Sequence, residues 1–479
     1  MPKTDFDAVR EECGIFGIYS QHTYDVASDI FYGLYALQHR GQESCGIVVN
    51  DSGLFNAYKD VGLVSEIFNA DIIRKLGEGS MAIGHTNYGT LANKSRENAQ
   101  PMVVNHVKGR MALAFNGNIV NALELRTQLE LEGAIFHTTS DTEVISYLIT
   151  KERLKTDSIV SAICSAITHL KGAFSLVVMS PTKIIALRDP RGIRPLCYGQ
   201  MQDGTYVVSS ESCGLDAVNA KFIRDIEAGE IVVFSKDGVK SITEHCNKAP
   251  KSLCVFEYVY FSRPDSVVDG CTVSTARIKA GKFLAQTHPV DADVVLGCPD
   301  SGIDAAIGYA KESGIPFMTG FIKNKYMGRT FISPTQKMRE NQVRMKLNPI
   351  KEVVNGKRVV LVDDSIVRGT TSKRVLKLLK DAGAKEVHLR ISAPPFTNPC
   401  YYGTDIDSKE NLIACKYSVE ETAKIIGADS LGYLTIDQVK QIANNGNKGG
   451  YCTACFDGLY PTEVPKDTAK SRFEKKIGE

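Results

Sequence analysis

The chain has 479 residues, 43% hydrophobic and 23% charged, with 57 Lys and Arg against 55 Asp and Glu. A net charge of +2 argues against a general nucleic-acid binder, which carries a basic excess, but leaves room for a local phosphate site. No apolar run reaches the roughly 18 residues of a membrane span, and the charged start MPKTDFDAVREE is no secretory signal; a cytoplasmic protein is expected, without membrane or nucleic-acid partners. Its 13 cysteines are too sparse for a disulfide scaffold, and in a reducing compartment they read as core thiols, a nucleophile or metal ligands.

CGIFGIY, 13–19, alternates bulky apolar positions and predicts a strand. Val26, Ile30, Leu34 and Leu37 recur at helical spacing, ending at Gly41. CGIVVND and MAIGH predict short strands, and MALAFNGNIV a strand running into a turn. Ser140 and Glu143 stand at capping-box spacing ahead of Val144 and Leu148. Ile159, Ile163, Ile167 and Leu170 mark a further helix; AFSLVVMS, KIIALRD, YVVSS and EIVVFSKDG are strands. Many strands with few helices predict a layered α+β domain to about residue 240.

Cys13 follows Glu11 and Glu12. Alone it reads first as a buried thiol opening a strand, and only second as a nucleophile exposed by proteolysis. The second reading has a physical basis. A free α-amine has a pKa near ~8, whereas Lys lies near ~10, so an N-terminal cysteine carries its own base. Removal of residues 1–12 is then required, because an amide nitrogen is not basic.

CGIFGI, LQHRGQES, FNGN, TSDTEV and RDPRGIRPL together resemble the glutaminase domain of the N-terminal-nucleophile amidotransferases. The resemblance implies a layered α/β/β/α fold with Cys13 attacking the glutamine carboxamide. It assigns Asn116 and the backbone N–H of Gly117 to the oxyanion hole, Asp141 to the substrate ammonium, and Thr90 to the neighbourhood of its carboxylate. The chain departs from this family at two places. GHTNYGT has Asn87 where the family has an Arg that clamps the carboxylate, and Phe115 stands where a His is usual. Asn cannot form the bidentate charged pair of Arg; Arg40 and Arg96 are candidate replacements.

Further on, residues 294–314 and 358–383 each read strand, loop, helix, which predicts a mostly parallel sheet with ligands beyond the strand ends. VVLVDDSIVRGTTS ends an apolar strand in two acids and then a loop of small residues, a phosphate cradle at a helix start. A bare Asp-Asp is more readily a solvated turn; the longer context is more specific. The whole segment resembles the phosphoribosyl pyrophosphate (PRPP) motif of type I phosphoribosyltransferases. That resemblance assigns Asp363 and Asp364 to the ribose hydroxyls and Mg²⁺, with Ser301 also at the metal. Ser365, Arg368, Gly369, Thr370 and Thr371 take the 5′-phosphate, and Asp300, Ser301 and Gly302 the pyrophosphate. Residues 323–348 form a mobile loop, with Lys323, Tyr326 and Arg329 its leading ligands.

Cys452 and Cys455 form CTAC, which alone is ambiguous between zinc, redox chemistry and coincidence. From Glu12 to about Pro461, the order of CVFEYVYFSRPDS, KNKYMGRTFI, VVLVDDSIVRGTTS and YCTACFDGLYP resembles the glutamine PRPP amidotransferases of the processed iron–sulfur type. This adds a [4Fe–4S] cluster on Cys254, Cys400, Cys452 and Cys455, with a structural role. The expected organisation is a propeptide (1–12), a glutamine amidotransferase domain (13–245), a phosphoribosyltransferase domain carrying the cluster (246–465) and a tail (466–479).

By resemblance the reaction transfers ammonia from glutamine to C1 of PRPP, giving 5-phosphoribosylamine, the first committed step of purine synthesis. Purine-nucleotide inhibition and a homotetramer are expected on the same ground. Two rivals stand beside this reading. Asn87 and Phe115 point to an ammonia-dependent paralogue with an impaired glutaminase. A PRPP-sensing regulator is disfavoured by the intact Asp-Asp and mobile-loop segments.

Overall fold

The computed structural model describes residues 13–88, 96–324, 347–404, 406, 408–443 and 450–465. The expected propeptide and the 466–479 tail lie outside them. No helix among the described residues is long and apolar enough to cross a membrane.

Among the described residues the first half has thirteen strands: β1 (Gly14–Tyr24), β2 (Ser44–Asp51), β3 (Leu54–Val61), β4 (Gly79–Asn87), β5 (Met102–His106), β6 (Gly109–Ile119), β7 (Gly172–Met179), β8 (Ile184–Arg188), β9 (Cys197–Gln200), β10 (Tyr206–Ser209), β11 (Lys221–Asp225), β12 (Ile231–Ser235) and β13 (Gly238–Ile242). They form a seven-stranded sheet, β11-β9-β10-β1-β4-β2-β3, and a six-stranded sheet, β13-β12-β8-β7-β6-β5.

Side-chain alternation explains the layering. On β1, Ile15 and Tyr19 enter a core shared with Ala112, Ala114 and Val177 of the other sheet. Phe16 and Ile18 face the helix Val26–Ala36 through Ile30 and Leu34. On β6, Leu113 and Phe115 face Val144 and Leu148 of the helix Asp141–Lys155. Each sheet is therefore covered by helices on its outer face, the expected α/β/β/α order.

β6 runs to Ile119, paired with β7 through Ile119↔Gly172, and the chain turns at Val120, as expected of MALAFNGNIV. One local expectation differs. Ser140 does cap the helix Asp141–Lys155, accepting from Thr142 N at 3.2 Å. Glu143 does not complete a capping box; its carboxylate accepts from His137 N at 2.9 Å and Thr138 N at 2.7 Å. It closes the preceding loop, which offers two N–H donors.

Beyond the first half, β14 (Leu253–Cys254) leads into a π-helical turn, Glu257–Phe261. β15 (Val267–Val268) and β16 (Cys271–Thr272) precede the helix Val273–Thr287. β17 (Val294–Gly297), β20 (Arg358–Asp363), β21 (Glu386–Ile391) and β22 (Ser430–Tyr433) form a four-stranded sheet in that order. Every pairing in it is parallel, as the strand–loop–helix pattern predicts. β18 (Phe321–Lys323) and β19 (Leu347–Pro349) form a small hairpin pair, and β23 (Tyr451–Cys452) returns to β14.

Candidate functional site

Cys13 sits just before β1. Its thiol donates to Asn87 Oδ1 at 3.1 Å. Its carbonyl oxygen accepts from Arg40 Nε at 3.0 Å. Arg40 is fully buried and donates through Nη1 to Glu211 Oε1 at 2.6 Å and Glu257 Oε2 at 2.9 Å, and through Nη2 to Glu257 Oε1 at 2.9 Å. The guanidinium is thus committed to two carboxylates and does not replace the Arg absent at position 87. Arg96 is exposed, donating to Lys59 O at 3.1 Å beside Asp60. Glu211 is pushed up by burial but held well below the usual carboxylate range by His39 and Arg40.

Asn116 lies on β6, on the face carrying Ala112 and Ala114 toward the inter-sheet core. It is fully buried, and neither Nδ2 nor Oδ1 has a hydrogen-bond partner among the described residues. Leaving a buried amide unsatisfied costs about 1–3 kcal/mol, and such groups call for an explanation. A ligand oxygen would pair with Nδ2. Gly117 follows at φ +136°, and a Cβ there would lie 2.0 Å from Ala173 O; only glycine fits. Phe115, between Ala114 and Asn116, points the other way into the helix layer. Asp141 Oδ2 accepts from Ile119 N at 2.9 Å, so the strand end carrying Asn116 and Gly117 is tied to the helix start. Thr90 lies outside the described residues.

In the second half, two loops meet beyond the ends of neighbouring parallel strands. Ser301, after β17, donates to Asp364 Oδ2, and Ser365 donates to Asp364 Oδ1. Asp364 N donates to Asp363 Oδ1 at 3.0 Å. A Cβ on Gly302 would stand 2.3 Å from Val362 O, so glycine allows this loop to touch β20. Asp300 pairs with Lys323 at the end of β18. Both aspartates are buried and pushed up, Asp363 by burial and by Asp364, and Asp364 by burial. Two carboxylates crowded in this way fit a hard cation that would offset their repulsion. Gly369, at φ +79°, opens the helix Thr370–Asp381 without a side-chain cap, and Val367 O is pinned by Ile413 N at 2.9 Å. Arg368, Thr370 and Thr371 flank this start. Tyr326 and Arg329 lie outside the described residues.

Cys254, Cys400, Cys452 and Cys455 line one cavity together with Phe256 and Phe396. Cys254 and Cys452 are register partners in the parallel β14–β23 pair. Cys455 sits in a short helix, Ala454–Asp457, and its carbonyl accepts from Thr397 N at 3.0 Å and Asn398 N at 3.1 Å. Tyr402 N donates to Cys400 Sγ at 3.4 Å. All four cysteines are unpaired thiols. Burial pushes Cys452 up to about 12 and Cys254 and Cys455 well above the ordinary thiol range. A polynuclear iron–sulfur group suits this donor set. One zinc ion requires sulfurs about 3.8 Å apart, and the groups of three ligands that converge within 4.8 Å lie elsewhere.

The buried charges Arg40, Glu211, Glu257 and Arg194 were not singled out as a functional set by motif reading. The available signal was Glu257 itself, one acid inside the aromatic run VFEYVYF, since a buried charge needs a partner.

Residues 89–217 match a glutamine amidotransferase domain, and residues 275–422 a phosphoribosyl transferase domain. The chain is 48% identical to an amidophosphoribosyltransferase of Methanocaldococcus jannaschii, over 97% of this chain and 99% of that one. It is 47% identical to the amidophosphoribosyltransferase of Bacillus subtilis, over 99% of each. Among solved structures it superposes with TM-score 0.89 on the B. subtilis glutamine PRPP amidotransferase complexed with ADP and GMP, at 47% identity, covering 95% of this chain and 99% of that one. A structure described as the allosteric regulatory enzyme of purine biosynthesis matches with TM-score 0.90 and 47% identity, covering 95% and 97%. The chain belongs to the amidophosphoribosyltransferase family.

Proposed function

We propose that this chain takes ammonia from glutamine and adds it to C1 of PRPP, giving 5-phosphoribosylamine, glutamate and pyrophosphate, at the entry to purine synthesis. Cys13, made N-terminal by loss of residues 1–12, attacks the carboxamide carbon. Its α-amine takes the thiol proton and returns it to the departing ammonia; water then hydrolyses the thioester. Asn116 Nδ2 and Gly117 N–H hold the oxyanion, while Asp141 and Thr90 hold the amino-acid end of the substrate.

In the transferase half, Asp363 and Asp364 bind the ribose hydroxyls. Ser365, Arg368, Gly369, Thr370 and Thr371 hold the 5′-phosphate, and Asp300, Ser301 and Gly302 the pyrophosphate. Lys323, Tyr326 and Arg329 cover the substrate and keep water from C1. Ser301, Asp363 and Asp364 would hold Mg²⁺, which would supply charge neutralisation for the pyrophosphate group. Cys254, Cys400, Cys452 and Cys455 would hold a [4Fe–4S] cluster that cross-links the residue 450–465 segment to its neighbours. A cytoplasmic homotetramer inhibited by purine nucleotides completes the reading; the B. subtilis relative binds ADP and GMP.

The observation that carries the proposal is the Ser301–Asp364 hydrogen bond, which joins the two expected PRPP loops at adjacent strand ends. PRPP-dependent pyrophosphate release, with glutamine and then ammonium, tests it. Activity with both is expected; Asp364→Asn should lose both, on the order of 10²-fold, and Cys13→Ala only the first. No release with either donor would overturn the proposal. One observation favours a second reading, the ammonia-dependent paralogue: Asn87 engages the Cys13 thiol at 3.1 Å where a carboxylate clamp is expected. Activity with ammonium alone, in protein beginning at Cys13, would select it.

A further inference from the structure

Three side chains outside this chemistry converge. One ligand atom each from Cys164, Glu244 and His245 lie within 4.8 Å of one another. Cys164 is on the helix Ile159–Ala166, half-buried against the outer core of the six-stranded sheet. Glu244 and His245 follow β13, where the chain leaves the first half. That segment is held in place: Cys246 N donates to Thr243 O at 3.0 Å, and a Cβ on Gly229 would stand 2.3 Å from His245 O.

The imidazole is the informative group. His245 Nε2 is buried and has no hydrogen-bond partner among the described residues. It stands 3.2 Å from Glu244 Oε1, close enough to bond yet not in hydrogen-bond geometry. The Cys164 thiol faces the same carboxylate, and burial together with Glu244 pushes it up to about 12. Three donors crowd one point, and the nitrogen among them is unsatisfied. A cation between them would satisfy it. The donor set selects the ion: thiolate, imidazole and carboxylate are the three protein ligands of zinc, at about 2.0–2.3 Å, whereas Mg²⁺ and Ca²⁺ take oxygen.

We propose that Cys164, Glu244 and His245 form a zinc site that staples the helix Ile159–Ala166 to the segment joining the two halves. On binding, the Cys164 proton leaves to solvent. Thiolate and carboxylate then neutralise the ion, neutral His245 donates through Nε2, and water takes the fourth position.

Co²⁺, which reports tetrahedral thiolate coordination by its absorption, tests this in protein whose four-cysteine cavity is loaded with iron. One Co²⁺ per chain is expected, with a near-ultraviolet thiolate-to-cobalt band that Zn²⁺ displaces. Cys164→Ser should remove that band and His245→Gln should weaken uptake, both with unchanged ammonium-dependent activity as evidence of folding. Failure of the wild-type chain to take up Co²⁺ or Zn²⁺ would overturn the site. So would a band that survives Cys164→Ser, since the metal would then sit on other thiols.

Discussion

Arg40 and Glu257, one from each half of the chain, form a bidentate ion pair at 2.9 Å with no solvent access on either side. The same guanidinium holds the Cys13 carbonyl at 3.0 Å. The position of Cys13 thus depends mechanically on a residue of the other half. Removing one partner of a buried pair strands the other charge, at about 3–5 kcal/mol. Glu257→Ala should destabilise the protein by that amount in urea unfolding. Glu257→Gln keeps the shape and loses the charge. It should cut glutamine-dependent activity on the order of ten- to a hundredfold through misplacement of Cys13, while ammonium-dependent activity changes little. Equal loss with both donors would disprove the dependence.

Asn116 should separate function from stability. Its amide has no hydrogen-bond partner among the described residues, so Asn116→Ala removes none of the described hydrogen bonds and an unsatisfied buried group disappears. If Nδ2 serves the oxyanion, glutamine-dependent turnover should fall about 10²–10³-fold. Ammonium-dependent turnover should persist, and the melting temperature should hold or rise. A marked drop in melting temperature would assign Asn116 to the fold instead.

The limits of motif reading follow from particular residues. VVLVDDSIVRGTTS was legible because its apolar run, paired acids and small residues each have a local cause, and the loop sits at the end of β20 beside Ser301. β1 was legible because Ile15, Phe16 and Ile18 are apolar on both faces. β3, LFNAYKDV, was not: it is an edge strand exposed or half-exposed along its length, and its pairing with β2 leaves little hydrophobic signal. Glu143 kept the spacing of a capping box, but nearby backbone donors competed for its carboxylate. The Arg40 network was hidden because charged residues are ordinarily read as surface, and the partners lie 171 and 217 residues away. Spacing carries no information on contacts that distant.

His85 gives a pH signature. Its Nε2–H donates to Phe115 O at 2.9 Å, and burial between the sheets pushes it down to about 4. An unfolded histidine titrates near 6.5. Between about 4 and 6.5 the unfolded chain therefore binds a proton that the folded chain refuses. The contribution is complete above about 6.5 and is lost as pH falls toward 4, amounting to about 3 kcal/mol at 1.36 kcal/mol per unit. Urea unfolding at pH 7.5 and 4.5 should show that loss in the wild type beyond any in His85→Gln. Equal losses in the two proteins would mean that His85 charges freely in the fold.

The four-cysteine cavity reaches Cys13 through the same buried charges. Tyr402 N donates to Cys400 Sγ at 3.4 Å, and Tyr402 O accepts from Arg194 Nη2 at 2.6 Å. Arg194 Nη1 stands 3.4 Å from Glu257 Oε1, the carboxylate that holds Arg40. Replacing one of these cysteines should therefore do more than loosen the 450–465 segment. Cys400→Ser should lower bound iron and the melting temperature. It should also depress glutamine-dependent activity more than ammonium-dependent activity, because Arg194 and Glu257 lose their fixed support beneath Arg40. Limited proteolysis of the variant should cut first within 450–465, whose contacts to Thr397 and Asn398 run through Cys455. Full iron content with an unchanged ratio of the two activities would place Cys400 outside the metal site and break the connection argued here.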